Sequence, residues 1–270
     1  MINGEQHRDG PGELPPRWVG GGALSAVGYL LAVALIVWSL GNADLSITRL
    51  VQGVPEIGRL VSEMFPPAVD RMASIGWTLL ETFHMAVAGT FLGVIVSLPL
   101  AVFAARNTSP HWAVQFVTRG LVTLCRTVPE LIWAIIFVIT VGLGPFAGVL
   151  ALAVDTTGFC ARFFAEALEE ADEGPPEALR SLGASSTATV VSAMFPATLP
   201  SMVATSLFAF EKATRASVVL GLVGAGGIGV ELMAAVDMFD YRSVSTIILC
   251  VFAMVLVVEQ ISSWLRQRIM

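Results

Sequence analysis

Apolar residues run along this chain in stretches long enough to cross a lipid bilayer, separated by short polar segments. A membrane-spanning helix needs roughly 20 apolar residues to cross about 30 Å of hydrocarbon. No charged residue occurs between Arg17 and Asp44, so residues 18–40 predict a first transmembrane helix. This stretch is too long for the apolar region of a signal peptide and has no clear cleavage site, and we expect it to be retained.

Five more apolar stretches follow, and together with the first they predict an all-α integral membrane protein with six transmembrane helices. We place them at residues 77–105, 113–143, 145–164, 194–217 and 243–264. Gly89 and Gly93 in the second span are spaced to permit close contact with another helix.

The polar segments organise the rest of the chain. Residues 1–17 form a tail, and residues 41–75 predict a loop with an amphipathic helix, because apolar residues recur there at helical spacing among charges and prolines. Residues 76–265 form the membrane core, which includes a strongly polar loop at about 166–190. Residues 266–270 form a C-terminal tail.

The composition agrees with a multi-pass protein of the inner or plasma membrane. The 270 residues are 55% hydrophobic and 13% charged, with a mean hydropathy of +0.77, whereas soluble domains are about 45–50% apolar and about 25% charged. The net charge is −6, and no basic patch predicts nucleic-acid binding. Nine Lys and Arg residues in the predicted inside segments against six outside slightly favour cytoplasmic N- and C-termini. The loop at 41–75 is then extracytoplasmic.

Several kinds of chemistry are excluded by single residue types. The chain has one lysine, Lys212, and Glu211 precedes it, so there is no P-loop, which needs glycine before its lysine. We expect no enzyme activity and no cofactor on this chain, and a separate ATPase would have to bind any ATP and Mg. The cysteines and histidines are too scattered for a disulfide framework or a metal site. They are Cys125, Cys160, Cys250, His7, His84 and His111.

The polar run "EALRSLGASSTATVVSAMFPATLP" at 177–200 contains a motif with fixed spacing. It resembles the "EAA" loop of ABC importer permeases, with Leu179, Ala193 and Phe195 replacing the usual alanine, isoleucine and leucine. In that family the loop is a coupling helix that docks on the ATPase. The residues that we assign to ATPase coupling are Glu177, Ala178, Leu179, Gly183, Ala184 and Pro196.

Two further blocks, residues 125–172 and 210–229, look like the permease of the phosphonate importers, and the resemblance covers about residues 70–265. It implies a type I ABC importer permease fold and a homodimer that binds two ATP-binding subunits and an extracytoplasmic substrate-binding protein. The implied cargo is phosphonate or a related phosphorus oxyanion, phosphite or phosphate. Methionine-importer permeases share the coupling loop and are the nearest alternative.

Charged residues within the spans are candidates for the translocation pathway, because intramembrane charges usually face the bundle interior or a water-filled cavity. Arg126 with Glu130 and Glu211 with Arg215 are spaced for i,i+4 ion pairs. The remaining candidates are Asp155 and three hydroxyls that could make transient contacts with the cargo. These hydroxyls belong to Thr156, Thr157 and Ser217. Two positions depart from the family, which often has histidine at 155 and asparagine at 213, where this chain has Asp155 and Ala213.

The segment "LGLVGAGGIGVEL" at 220–232 contains G-x-G-x-x-G, which in another context would bind a dinucleotide. It follows a transmembrane span and not a strand, and no βαβ unit surrounds it. We therefore predict an outer gate, or the floor beneath a docked binding protein, formed by Gly224, Gly226, Gly227 and Gly229. A membrane-bound dinucleotide-using enzyme and a stand-alone channel or scaffold are the other classes considered, and neither explains the coupling loop.

Overall fold

The computed structural model describes residues 23–43 and 46–269, and these residues form eleven α-helices. The predicted tail at 1–17 and the beginning of the first span lie outside the described residues. The helices are α1 (Ala23–Asn42), α2 (Ile47–Glu63), α3 (Met72–Ala104), α4 (Trp112–Thr127), α5 (Glu130–Val141), α6 (Pro145–Glu170), α7 (Gly174–Ser181), α8 (Ser186–Thr189), α9 (Phe195–Gly221), α10 (Ile228–Asp237) and α11 (Tyr241–Ile269).

The chain divides into two compact units, one ending at Arg59 and one beginning at Leu60. In the first unit, the described side chains of α1 are almost all exposed, as for a helix surrounded by lipid. Helix α2 lies within the predicted loop at 41–75. In the second unit, α11 continues through residue 269 and so includes most of the predicted C-terminal tail.

Five helical segments in the described ranges are long and apolar enough to cross a membrane. They are Ser25–Asn42, Met72–Ala104, Pro145–Glu170, Ser186–Gly221 and Tyr241–Ile269. Helices α4 and α5 together pass the same test but are bent by 91°. The predicted all-α fold is confirmed, with five spans in the described ranges, or six if the bent pair of α4 and α5 is one span.

The break between α4 and α5 follows from a proline. Val128 precedes Pro129 and adopts an extended conformation, with φ −78° and ψ 120°, because the proline ring disfavours helical geometry in the preceding residue. Helix α4 therefore ends at Thr127, and α5 begins at Glu130. The span predicted at 113–143 therefore contains a near right-angle turn.

Helix α6 is the centre of the second unit, with α3, α4, α5 and α9 packed against it. The predicted close contact at Gly89 and Gly93 is confirmed: a Cβ at Gly93 would lie 2.5 Å from the Thr156 Cβ, and one at Gly89 would lie 2.6 Å from the Leu152 Cβ. Small residues that let backbones approach drive helix association in lipid, where apolar burial between helices gains little. This packing fixes the rotation of α6 and with it the position of Asp155.

Candidate functional site

An ion pair between α6 and α9 involves Asp155, a predicted pathway residue. The Lys212 ammonium donates to both Asp155 carboxylate oxygens, at 2.9 and 2.8 Å, and lies 5.7 Å from the centroid of the Phe159 ring. The side chain of Asp155 is 8% exposed and that of Lys212 is 36% exposed. A carboxylate within a span is costly unless it is paired, and Lys212 supplies the partner. The Asp155 carboxylate is therefore buried, whereas the Lys212 side chain is partly accessible.

A second charged cluster lies on α9 and α11. Glu211 accepts from Arg215 at 3.2 Å, which confirms the predicted i,i+4 pair. It also accepts from both terminal nitrogens of Arg266, each at 3.4 Å. The Glu211 side chain is 9% exposed, whereas that of Arg215 is 46% exposed. Two cations thus share one buried carboxylate, and Arg215 presents the excess positive charge.

The three predicted hydroxyls lie in helix contacts and not beside Arg215. The Thr157 hydroxyl donates to the Ala153 carbonyl at 2.7 Å, and that of Ser217 donates to the Thr214 carbonyl at 2.8 Å. Thr156 is buried against Gly93. Within the described residues no hydrogen bond joins Arg215 to any of the three, and their part in a pathway stays a prediction.

Arg126 and Glu130 do not form the ion pair that their spacing indicates. The bend at Pro129 places them on different helices, so the i,i+4 geometry of a continuous helix is lost. Arg126 instead lines a cavity of about 650 Å³ at the ends of α3, α4 and α6. Glu130 is the first residue of α5 and is half-buried.

The glycine-rich segment between α9 and α10 is a tight loop with helices on both sides. Gly224, Gly226 and Gly227 have φ values of +83°, +84° and +74°, a region that residues with a Cβ rarely adopt. A dinucleotide-binding motif requires a strand before its glycines, and here α9 precedes them. The geometry of this loop is therefore not that of a nucleotide site.

The loop is fixed by hydrogen bonds to α3 and to the turn before α6. The Gly227 N–H donates to Glu81 Oε1 at 3.1 Å, and the Ile228 N–H donates to the Thr82 hydroxyl at 2.7 Å. The Gly144 N–H donates to the Gly224 carbonyl at 3.0 Å. The loop closes one end of the second unit.

Gly229 extends the same close packing into α10. A Cβ at Gly221 of α9 would lie 2.5 Å from the Gly229 Cα, so two backbones meet without side chains between them. An open cavity of about 400 Å³ lies beside the loop and is lined by Glu81 and Glu231. The role of this end as an outer gate stays a prediction.

The predicted coupling loop forms a short helical hairpin, α7 and α8, joined by a turn at Gly183. The Ala184 N–H donates to the Leu179 carbonyl at 3.0 Å, and Gly183 has φ +82°, so the turn caps α7 with a left-handed residue. Leu182 at the turn is 83% exposed, and Glu177 is also exposed. The turn thus presents the apolar side chain of Leu182 to its surroundings.

Pro196 lies directly after this hairpin, at the start of α9. Because proline has no N–H, it cannot donate to the carbonyl of residue 192. The chain preceding it widens into a π-helical turn over Val190–Met194, and such turns are frequent at functional sites. The hairpin is therefore joined to a long span through a locally irregular helix.

The cations that complete these clusters were not predicted as site residues from the sequence. Lys212 was considered only for the absence of a P-loop and for orientation, although an unpaired Asp155 within a span already required a cation. Arg266 was assigned to the C-terminal tail. Arg106, Arg119 and Arg162, which line the cavity beside Arg126, were counted only for orientation.

Comparison with known proteins identifies the family to which this chain belongs. Residues 97–270 match the family described as binding-protein-dependent transport system inner membrane component. The chain is 41% identical to the phosphite transport system permease PtxC of Stutzerimonas stutzeri, over 90% of this chain and 88% of that protein. It is 39% identical to the phosphate-import permease PhnE of Mycolicibacterium smegmatis, over 87% of this chain and 44% of that protein.

Among solved structures, an inward-facing form of the MetNI methionine ABC transporter has a similar fold, with a TM-score of 0.66 and 23% identity over 75% of this chain and 99% of that chain. The helical bundle, with its bent pair α4 and α5 and its helical hairpin α7 and α8, is thus a type I ABC importer permease fold. The chain belongs to the family of binding-protein-dependent transport system inner membrane components, which confirms the predicted class.

Proposed function

We propose that this protein is the transmembrane permease subunit of an ATP-driven importer and forms the translocation pathway for phosphonate or a related phosphorus oxyanion, phosphite or phosphate. The observation that supports this choice of cargo is the similarity, along about nine-tenths of this chain, to a permease named for phosphite transport. The exposed Arg215 side chain agrees with it, because a guanidinium matches the oxygens of a phosphorus oxyanion.

ATP and Mg are bound by a partner subunit in this proposal. Two copies of the permease bind two ATPase subunits through the α7–α8 hairpin, and an extracytoplasmic binding protein docks at the opposite end, beside the glycine loop. Both termini are cytoplasmic. ATP binding closes the ATPases and moves the hairpins, and the spans change from inward-facing to outward-facing. An importer must release its cargo, so contacts in the pathway are transient and tight binding belongs to the binding protein.

Reconstitution tests this function directly. The permease, its ATPase subunit and its binding protein are inserted in liposomes, and ATP-dependent uptake of phosphate, phosphite, methylphosphonate and methionine is compared. We expect uptake of at least one phosphorus oxyanion and none of methionine. Uptake of methionine alone would refute the proposed cargo while leaving the transport function intact.

The pathway residues are tested in the same liposomes. Arg215→Ala and Lys212→Gln each remove a partly exposed cation, and we expect each to lower uptake by about tenfold, the usual effect of losing one charge-assisted hydrogen bond. Arg268→Ala is the matched control, because Arg268 stacks on Trp264 at 4.3 Å and lies outside both charged clusters. Unchanged uptake in Arg215→Ala, with normal subunit assembly, would remove Arg215 from the pathway.

A further inference from the structure

The cavity of about 650 Å³ beside Arg126 collects four arginines from three parts of the chain. Arg106 follows α3, Arg119 and Arg126 belong to α4, and Arg162 belongs to α6. Helix α6 ends at Glu170, and α7 begins four residues later, so the cavity lies at the same end of the bundle as the coupling hairpin.

The two carboxylates of this cavity are already engaged. Glu169 accepts from the Arg119 guanidinium and from the Arg106 backbone N–H at 2.7 Å. Glu166 accepts from Arg162 at 2.8 Å. Within the part of the chain that the structure describes, the guanidinium groups of Arg106 and Arg126 form no ion pair, and the cavity has an excess of two positive charges.

The wall of α4 adds hydroxyl groups to these cations. Thr123 and Thr127 line the cavity with Arg126, and both side chains are exposed. Two unpaired guanidinium groups with neighbouring hydroxyl donors are the usual partners of a phosphate-type oxyanion, which offers several acceptor oxygens and can be held bidentately by each arginine.

The cavity also continues the face of α6 that carries the central ion pair. Asp155, Arg162 and Glu166 follow one another at spacings of seven and four residues, and residues at such spacings share one helix face. Arg162 and Glu166 of the cavity therefore lie on the same face of α6 as Asp155, in the direction of the hairpin.

From this arrangement we propose that the cavity is an oxyanion-binding site for a phosphate group, held by Arg106 and Arg126, at the hairpin end of the permease. The ligand is either free phosphate or the phosphate of an anionic lipid headgroup, since both present negatively charged non-bridging oxygens. The site is separate from Lys212 and Arg215, and binding there needs no ATP and no partner subunit.

Equilibrium binding of radiolabelled inorganic phosphate to the purified full chain tests the site, in nanodiscs made of phosphatidylcholine alone. We expect Arg126→Gln to weaken phosphate binding by about tenfold, as for the loss of one charge-assisted hydrogen bond, and Arg106→Gln/Arg126→Gln to weaken it further. Arg268→Gln removes the same charge elsewhere and leaves binding unchanged. Equal binding by the wild type and the double variant overturns the proposal.

A second variant changes binding in the opposite direction, so misfolding cannot imitate it. Glu166→Gln releases Arg162 from its ion pair, and the freed guanidinium tightens phosphate binding severalfold. Weaker or unchanged binding by this variant contradicts the proposed charge balance.

Nanodiscs that contain phosphatidylglycerol distinguish the two sources. If the lipid is the occupant, phosphatidylglycerol displaces bound phosphate and co-purifies with the wild type but not with the double variant. If free phosphate is the occupant, its binding is the same in both kinds of nanodisc. Binding of neither phosphate nor phosphatidylglycerol by the wild type overturns the proposal. Because no transport is measured, this outcome is independent of the uptake experiment.

Discussion

Gly183 in the hairpin and Gly226 in the loop at the other end of the bundle have nearly the same φ, +82° and +84°, in different surroundings. A Cβ at Gly183 would meet nothing within 4 Å, whereas one at Gly226 would lie 2.6 Å from the Pro145 backbone nitrogen. The hairpin needs glycine only for the turn. The loop needs it for the turn and because a second backbone occupies the space of a side chain.

The two ends therefore differ in how they respond to change. The hairpin is exposed around its turn. A substitution there is expected to cause only local backbone strain and the loss of contact with a partner protein. The glycine loop is held by hydrogen bonds that its N–H groups donate to α3 and by backbone contact with the turn before α6, so a change there disturbs the packing of several helices. The following predictions are ordered from the largest expected effect to the smallest.

Gly226→Val tests the end of the bundle that holds the glycine loop, here called the packed end; the end with the hairpin is called the open end. Valine is strained at φ +84°, and its Cβ would overlap Pro145, so we expect loss of the folded, dispersed protein on size-exclusion chromatography and loss of uptake. Gly76→Ala is the control, because nothing lies within 4 Å of a Cβ at Gly76 and alanine favours a helix. Normal stability of the Gly226→Val protein would contradict the expected difference between the two ends in their tolerance of substitution.

Gly183→Trp tests the open end. Nothing lies within 4 Å of a Cβ at Gly183, so we expect the protein to fold with at most about 1–2 kcal/mol lost to the left-handed backbone, while the bulky side chain blocks docking and lowers uptake at least about tenfold. Co-purification of the ATPase subunit with the permease measures docking.

Gly183→Asn is the matched variant at the same position, since asparagine tolerates the left-handed conformation. It should retain ATPase binding and uptake. Full uptake and ATPase binding by Gly183→Trp would count against the coupling role of the hairpin.

Leu182→Asp tests whether the turn of the hairpin contacts the ATPase subunit. The Leu182 side chain is 83% exposed, so its replacement should leave thermal stability within about 0.5 kcal/mol. If the leucine enters an apolar pocket on the ATPase, a carboxylate there weakens co-purification severalfold. Unchanged co-purification would show that the turn lies outside the contact.

Asp240 provides the smallest effect, near the packed end. Its carboxylate accepts from the Ser243 N–H at 3.2 Å and from the Ser243 hydroxyl at 2.6 Å, and these bonds lower the pKa of Asp240 below its ordinary value. They cap the start of α11, so Asp240→Ala should cost about 1 kcal/mol. Thermal unfolding at neutral pH measures the loss, with Asp237→Ala as the control.

The pH dependence of this cap has a definite sign. Since the pKa is lower in the folded protein, the ionised carboxylate stabilises the fold above the unfolded pKa of about 3.9, and this contribution is lost as the pH falls through the lower folded pKa. Asp240→Ala should therefore lose less stability than the wild type on acidification below about pH 4. If acidification lowered the stability of both proteins equally, the Asp240 cap would not be the source of the pH dependence.

The amino-acid sequence by itself determined the helical class, the spans and the location of the hairpin. Apolar stretch length depends only on the chain and the bilayer thickness, and the proline and glycine positions that end or turn helices act within a few residues. The break at Pro129 has the same local cause, but its angle of 91° depends on the packing of α4 and α5.

Only the tertiary structure decided which charges on different helices meet. Asp155 pairs with Lys212, and Glu211 with Arg266, across 57 and 55 residues of chain. Periodicity gives the face on which a residue lies on its own helix, but not the rotation of one helix against the next. That rotation is set by close contacts such as Gly93 against Thr156, which explains why the cavity arginines could not be grouped from the sequence.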